Sequence, residues 1–118
     1  MKKNDLIDYI RTNYGSSPEY PWIKYPDYIV FRHRGNSGWF ALIMSVSADK
    51  IGAGDTKTVV DIVNIKVAPE LVGSLRLKDG VYPAYHMNKE HWITIMLDGK
   101  FNSDELESLI DDSYRLTR

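Results

Sequence analysis

The sequence predicts a single α+β domain over residues 1–118, with helices packed on one face of an antiparallel sheet. Three observations carry that prediction. An amphipathic helix with end signals stands near each terminus, three runs rich in β-branched and aromatic residues lie between them, and a fourth such run precedes the last helix. At 118 residues the chain can bury a sizeable core but is too short for two ordinary domains.

Asn4 reads as the cap of a first helix running through Tyr14. Asp5 and Asp8 favour its positive N-terminal end, Leu6, Tyr9 and Ile10 share a face, and Gly15 supplies the stop. GSSPEYPW, with two prolines and a glycine, is a loop that Trp22 anchors to the body. DYIVFR and WFALIMSV then form two strands joined by a Gly-Asn-Ser-Gly turn. SADKIGAGDTKT, with two glycines and four charges, is expected to be an exposed, mobile connection.

In the next strand, VVDIVNIKV, alternation puts Val59, Asp61, Val63, Ile65 and Val67 on one face and Val60, Ile62, Asn64 and Lys66 on the other. Pro69, Glu70, Leu71, Val72 and Leu75 predict a short helix that ends before Gly80. PAYHMNKEHW leads into the strand WITIMLDG, which an Asp-Gly turn closes. The tail FNSDELESLIDDSYRLTR is the clearest helix. Asn102 and Glu105 have capping-box spacing, and Leu106, Leu109, Ile110 and Tyr114 form its apolar stripe.

Composition removes several classes of function. With no cysteine there is no disulfide, thiolate nucleophile or cysteine-based zinc site. A net charge of −1 supplies no global field toward phosphate backbones, although the charges are uneven. Residues 1–60 carry eight Lys/Arg against six Asp/Glu, and residues 61–118 carry seven against ten, which leaves room for a local basic patch. No apolar run approaches the roughly 18 to 20 residues of a membrane span. Asp5 and Asp8 occupy the place of a signal peptide's apolar core, so a cytoplasmic location is expected.

The stretch PAYHMNKEHW concentrates Tyr85, His86, Asn88, Lys89, Glu90, His91 and Trp92. His86 and His91 are five apart, a step that turns side chains about 140° on a helix and sends them to opposite faces of a strand. Neither regular structure makes the pair chelate, so no metal site and no cofactor are expected. No nucleophile elbow surrounds a serine, no partner orients either His as a base, and GAGD lacks the Lys-Ser/Thr of a phosphate loop, so no catalytic residue is assigned. A structural turn fits the stretch instead: Asn88 and Lys89 shape the backbone, the His side chains satisfy polar groups, and Trp92 enters the core. Two hairpin loops offer cations to phosphates: Arg32 and Arg34 on the first, Lys50 and Lys57 on the second.

Several blocks in order, YPW, FRHRGNSGWFALI, Asn64 with Lys66, Pro83 through Trp92, and Ser113-Tyr114, closely resemble the MmcQ/YjbR-like family of small bacterial proteins. The resemblance implies a frataxin-like (CyaY-like) two-layer α+β sandwich. It also implies DNA binding through a double wing, with Arg32, Arg34, Lys50 and Lys57 as the contacts. Iron binding is not implied, since Asp5 and Asp8 alone do not make a dense row of carboxylates on the first helix.

The function expected from the sequence is therefore that of a non-enzymatic, monomeric binding protein, with double-stranded DNA as partner and no membrane. The alternative is a protein or small-anion site in which Asn64, Lys66, His86, Asn88, Lys89 and His91 line a pocket and Lys66 supplies the charge.

Overall fold

Alternation along the strands builds one sheet with two unlike faces. In the computed structural model, which describes residues 1–118, the helices are α1 (Lys3–Tyr14), α2 (Val72–Leu75) and α3 (Ser103–Leu116). The strands are β1 (Ile29–Arg32), β2 (Trp39–Ser47), β3 (Val59–Lys66), β4 (Val81–Pro83) and β5 (Trp92–Met96). They pair in the order β1-β2-β3-β5-β4, antiparallel throughout. The α+β architecture is as expected, and no helix is long and apolar enough to cross a membrane.

On one face, Ile43, Val63, Ile65, Ile93 and Ile95 project from the central strands against Leu6 and Ile10 of α1, Leu75 of α2, and Leu106 and Ile110 of α3. Phe31 pairs with Ala41 but Arg32 pairs with Trp39, so Phe40 is an extra residue on β2. The bulge lets Phe40 as well as Ala41 join this core. Ser113 ties α3 to the sheet: its hydroxyl donates to the Phe40 carbonyl at 2.6 Å and accepts from the Lys66 N–H at 2.9 Å.

The helix ends follow the chemistry of their sequences. The Asn102 side chain accepts from the Glu105 N–H at 2.8 Å and starts α3. Helix α1 begins at Lys3, earlier than a cap at Asn4 allows, because the Asp5 carboxylate accepts from the Lys2 N–H at 2.9 Å. It ends at Gly15, whose φ of 63° only glycine adopts at little cost. Tyr9 and Tyr14 of α1 both donate to the Asp111 carboxylate of α3. Burial, with that carboxylate beside it, pushes the Tyr9 hydroxyl up to about 12.

No helix covers the other face. Val30, Leu42, Met44, Val46, Ile51 and Ile62 are buried there beneath loop side chains, among them Trp22, Tyr28, Tyr85 and Met87. The connection expected to be exposed and mobile is partly built in: Ala48–Ile51 forms a 3-10 turn, and its Ala48 and Ile51 are buried. Ala48 and Asp49 donate across it to the Thr58 and Thr56 carbonyls. Strand β4 was not anticipated; three residues ending in Pro83 give too short a pattern to read.

Candidate functional site

The polar residues of the 83–92 stretch build scaffold first. Asn64 is fully buried, its amide donates to the Tyr85 carbonyl at 2.8 Å, and its side-chain oxygen accepts from the Thr94 hydroxyl. Thr94 Oγ1 in turn accepts from the Tyr85 N–H at 2.9 Å. This closed ring of bonds clamps the loop onto β3 and β5. Asn88 shapes the turn as expected, accepting from the Glu90 N–H at its side chain and from the His91 and Trp92 N–H groups at its carbonyl.

The expected pocket around Lys66 does not form. Asn64 has turned its hydrogen-bonding groups inward, Lys66 is half-buried and lines none of the principal cavities, and Asn88 and Lys89 are exposed in the turn. The His side chains do not satisfy the buried polar groups, a task that falls to Asn64 and Thr94, and Trp92 is only half-buried. Of the set, His86 alone lines one of the principal cavities. It adopts a left-handed backbone conformation, φ 58°, with its ring 3.9 Å from that of Tyr85. No three His, Asp or Glu side chains converge in a way that could hold a metal ion.

That cavity is an aromatic cleft of about 220 Å3 on the helix-free face. Trp22, Tyr25, Tyr28 and Trp39 wall it, Leu42 and Met44 of β2 form its floor, and His86 and Met87 stand at its rim. The indole of Trp22 meets Trp39 edge to face at 5.7 Å and 86°, and Tyr28 at 6.1 Å and 80°. Tyr25 stacks on Tyr28 at 4.7 Å. Local turns set these rings: the Tyr25 N–H donates to the Trp22 carbonyl and the Tyr28 N–H to the Tyr25 carbonyl. A two-bond bridge between Glu19 and Val30 fixes the loop along the edge of β1. Burial, then the Tyr85 and Tyr25 hydroxyls, raises the pKa of Tyr28, so its hydroxyl stays protonated.

Beside the cleft lies a basic corner where α1, α3 and the β1–β2 turn meet, a cavity of about 370 Å3 lined by Arg32, Arg34 and Arg118 among others. Arg32 joins the two sites, with its guanidinium 5.8 Å from the centre of the Trp39 ring. Its Nε stands 3.4 Å from a Glu19 carboxylate oxygen yet forms no hydrogen bond, so the pair is a loose one. Arg34 donates to the Gly15 carbonyl at 2.8 Å and caps the negative end of α1. His33 is buried between the Phe40 and Tyr114 rings, with Nε2 2.7 Å from Thr117 Oγ1. Burial and then the Arg118 charge lower its pKa, which favours the neutral imidazole.

The four wing cations do not share a surface. Arg32 and Arg34 stand at the turn where β1 meets β2, whereas Lys50 and Lys57 lie on the 48–58 loop at the far end of nine-residue β2. The tips are thus separated by about 30 Å. Both lysines are exposed and make no ion pair, while Arg32 lies loosely beside Glu19 and Arg34 makes one bond, to the Gly15 carbonyl. The aromatic cleft was not singled out from the sequence. Its signal was present in YPWIKYPDY, four aromatic side chains in nine loop residues, more than a solvated loop needs.

The YjbR family model matches residues 11–116. The chain belongs to the YjbR family. It is 41% identical over 118 residues to the uncharacterised protein YyaQ of Bacillus subtilis, covering 100% of this chain and 99% of that one. It is also 41% identical to Escherichia coli YjbR over 54 residues, 45% of this chain and 46% of that protein. The fold superposes on a Pseudomonas syringae crystal structure with a TM-score of 0.97 at 53% identity, with both chains fully covered. A second match, Deinococcus radiodurans protein DR2400, gives 0.72 at 27% identity over 98% of this YjbR-family chain and 77% of that protein.

Proposed function

We propose that this YjbR-family protein is a non-enzymatic binding module and that its ligand enters the aromatic cleft. One observation carries the reading: four aromatic side chains stand around an unfilled cavity of about 220 Å3, on the sheet face that no helix covers. These rings touch one another along the walls yet leave the space above the Leu42 and Met44 floor open, which keeps contact area for an apolar, ring-bearing guest. His86, the titratable group on the rim with an imidazole, has no hydrogen-bonded partner to orient it as a base.

Titration with indole, a neutral ring, tests this. The indole N–H resonances of Trp22 and Trp39 should shift saturably, and Trp39→Ala should abolish binding while the protein stays folded. Resonances that stay in place up to the solubility limit of indole would overturn the reading.

Duplex DNA is the second reading, favoured by the exposed and unpaired Lys50 and Lys57 on the longer hairpin loop. The cleft ranks above it because the four cations do not share a surface: Arg32 and Arg34 stand at one end of β2, and Lys50 and Lys57 lie past the other.

A further inference from the structure

We infer that the cleft takes a planar aromatic ring bearing an anionic group, with the ring against Trp22, Tyr28 and Trp39 and the anion on Arg32 and Arg34. The inference rests on the cleft reading and adds to it the charge of the ligand. No carboxylate lines the aromatic cleft, so a cationic guest would find ring faces but no counter-charge. A cation already sits at Trp39, since the Arg32 guanidinium lies 5.8 Å from its ring centre.

Arg32 also lines the basic corner with Arg34 and Arg118, and no Asp or Glu side chain lines that cavity. In a chain of net charge −1 this is a local concentration of positive charge, with walls that limit its solvation. Its donors are under-used: Arg32 Nε is buried without a hydrogen bond, and Arg34 makes a single bond, from Nη2 to the Gly15 carbonyl. Guanidinium groups with spare donors bind phosphoryl or carboxylate oxygens through charge-assisted hydrogen bonds. Glu19, 3.4 Å from Arg32, is the one carboxylate that competes.

Both arms of the ligand thus meet at Arg32, the residue that touches the aromatic wall and the basic cavity together. Nucleoside monophosphates and aromatic carboxylates share this chemistry.

Four probes separate the possibilities on the wild-type protein: adenosine monophosphate, adenosine, indole-3-acetate and inorganic phosphate, each followed by the Trp22 and Trp39 indole and Arg32 Nε–H resonances. The aromatic anions should bind about tenfold or more tightly than adenosine, the factor that one charge-assisted hydrogen bond supplies. Inorganic phosphate should shift Arg32 and leave Trp22 unmoved. Arg32→Gln should reduce the nucleotide to the affinity of the nucleoside, and Glu19→Gln should tighten the nucleotide alone. Binding of indole-3-acetate without adenosine monophosphate supports the inference and assigns the anion to a carboxylate. Equal affinity for adenosine and its monophosphate overturns the anion subsite and leaves the cleft standing; no response to any ring compound overturns both. The comparison of ligands on the wild-type chain holds even if Arg32→Gln does not fold.

Discussion

The two faces of the sheet come from the same strands, yet one, the closed face, is packed under helices and the other, the open face, is covered only by loops. Under the helices, a cluster of twenty buried residues is almost wholly aliphatic, with Phe31, Phe40 and Phe101 its aromatic members. Under the loops, six buried residues are surrounded by partly buried aromatic and methionine side chains. Helices deliver side chains at a fixed spacing and can fill a face. Loops deliver them where turns permit and leave a cleft. The closed face should therefore carry stability, and the open face should carry binding.

Substitutions at adjacent residues of β2 put that division to its strongest test. Ile43 has no exposed surface, pairs with both Ile29 and Val63, and faces the helices, so Ile43→Ala should cost about 3 to 4 kcal/mol in urea unfolding. Leu42 faces the cleft, where part of its surroundings is already empty, and Leu42→Ala should cost about 2 kcal/mol. Equal costs at the two positions would break the comparison.

The clamp gives a smaller and more local effect. Asn64→Ala strands the Tyr85 carbonyl and the Thr94 hydroxyl, so stability should fall by about 1 to 3 kcal/mol. Amide hydrogen exchange should also accelerate across residues 85–92 ahead of the rest of the sheet. Exchange that rises uniformly instead would mean that the loop and the core are one cooperative unit.

How much of this was legible beforehand follows the same divide. Val63 and Ile65, Leu106 and Ile110, and the Asn102 cap were readable because period and capping are local properties of the chain. Asn64 reads as a pocket residue in the sequence because its partners, Tyr85 and Thr94, lie 21 and 30 residues away, and no local pattern marks a bond of that range. Arg32 and Arg34 looked free for the same reason: Glu19 and Gly15 reach them only once the 16–28 loop folds back along β1. Two hairpins in one meander read naturally as a pair of wings. Their tips nonetheless project from opposite ends of β2, since successive turns of an antiparallel meander must alternate.

His33 belongs to the closed side of the molecule, where it faces Thr117, Arg118 and the rings of Phe40 and Tyr114. Its folded pKa is lowered, so below about pH 6.5 the unfolded chain takes a proton that the folded one refuses. Stability from this residue is full above that pH and declines as pH falls through the lower folded value, with a slope of at most about 1.4 kcal/mol per pH unit. His33→Gln should flatten the urea midpoint between neutral and mildly acidic pH. A variant with the wild-type slope would assign the dependence to other groups.

The smallest effect on folding is expected at the far loop, and it bears on how the open face is used. Lys50 and Lys57 are exposed and make no ion pair, so Lys50→Glu with Lys57→Glu should change stability by less than about 0.5 kcal/mol. The double variant is therefore a clean probe of binding. If the cleft is the site, indole binding is unaltered, because neither Lys50 nor Lys57 lines the cleft. If duplex DNA binds at low salt and the double reversal removes it, phosphate contacts reside on a loop that the cleft does not use. Binding would then be divided between the two ends of β2. DNA binding that survives the reversal of all four cations, Arg32 and Arg34 included, would exclude the hairpin loops altogether.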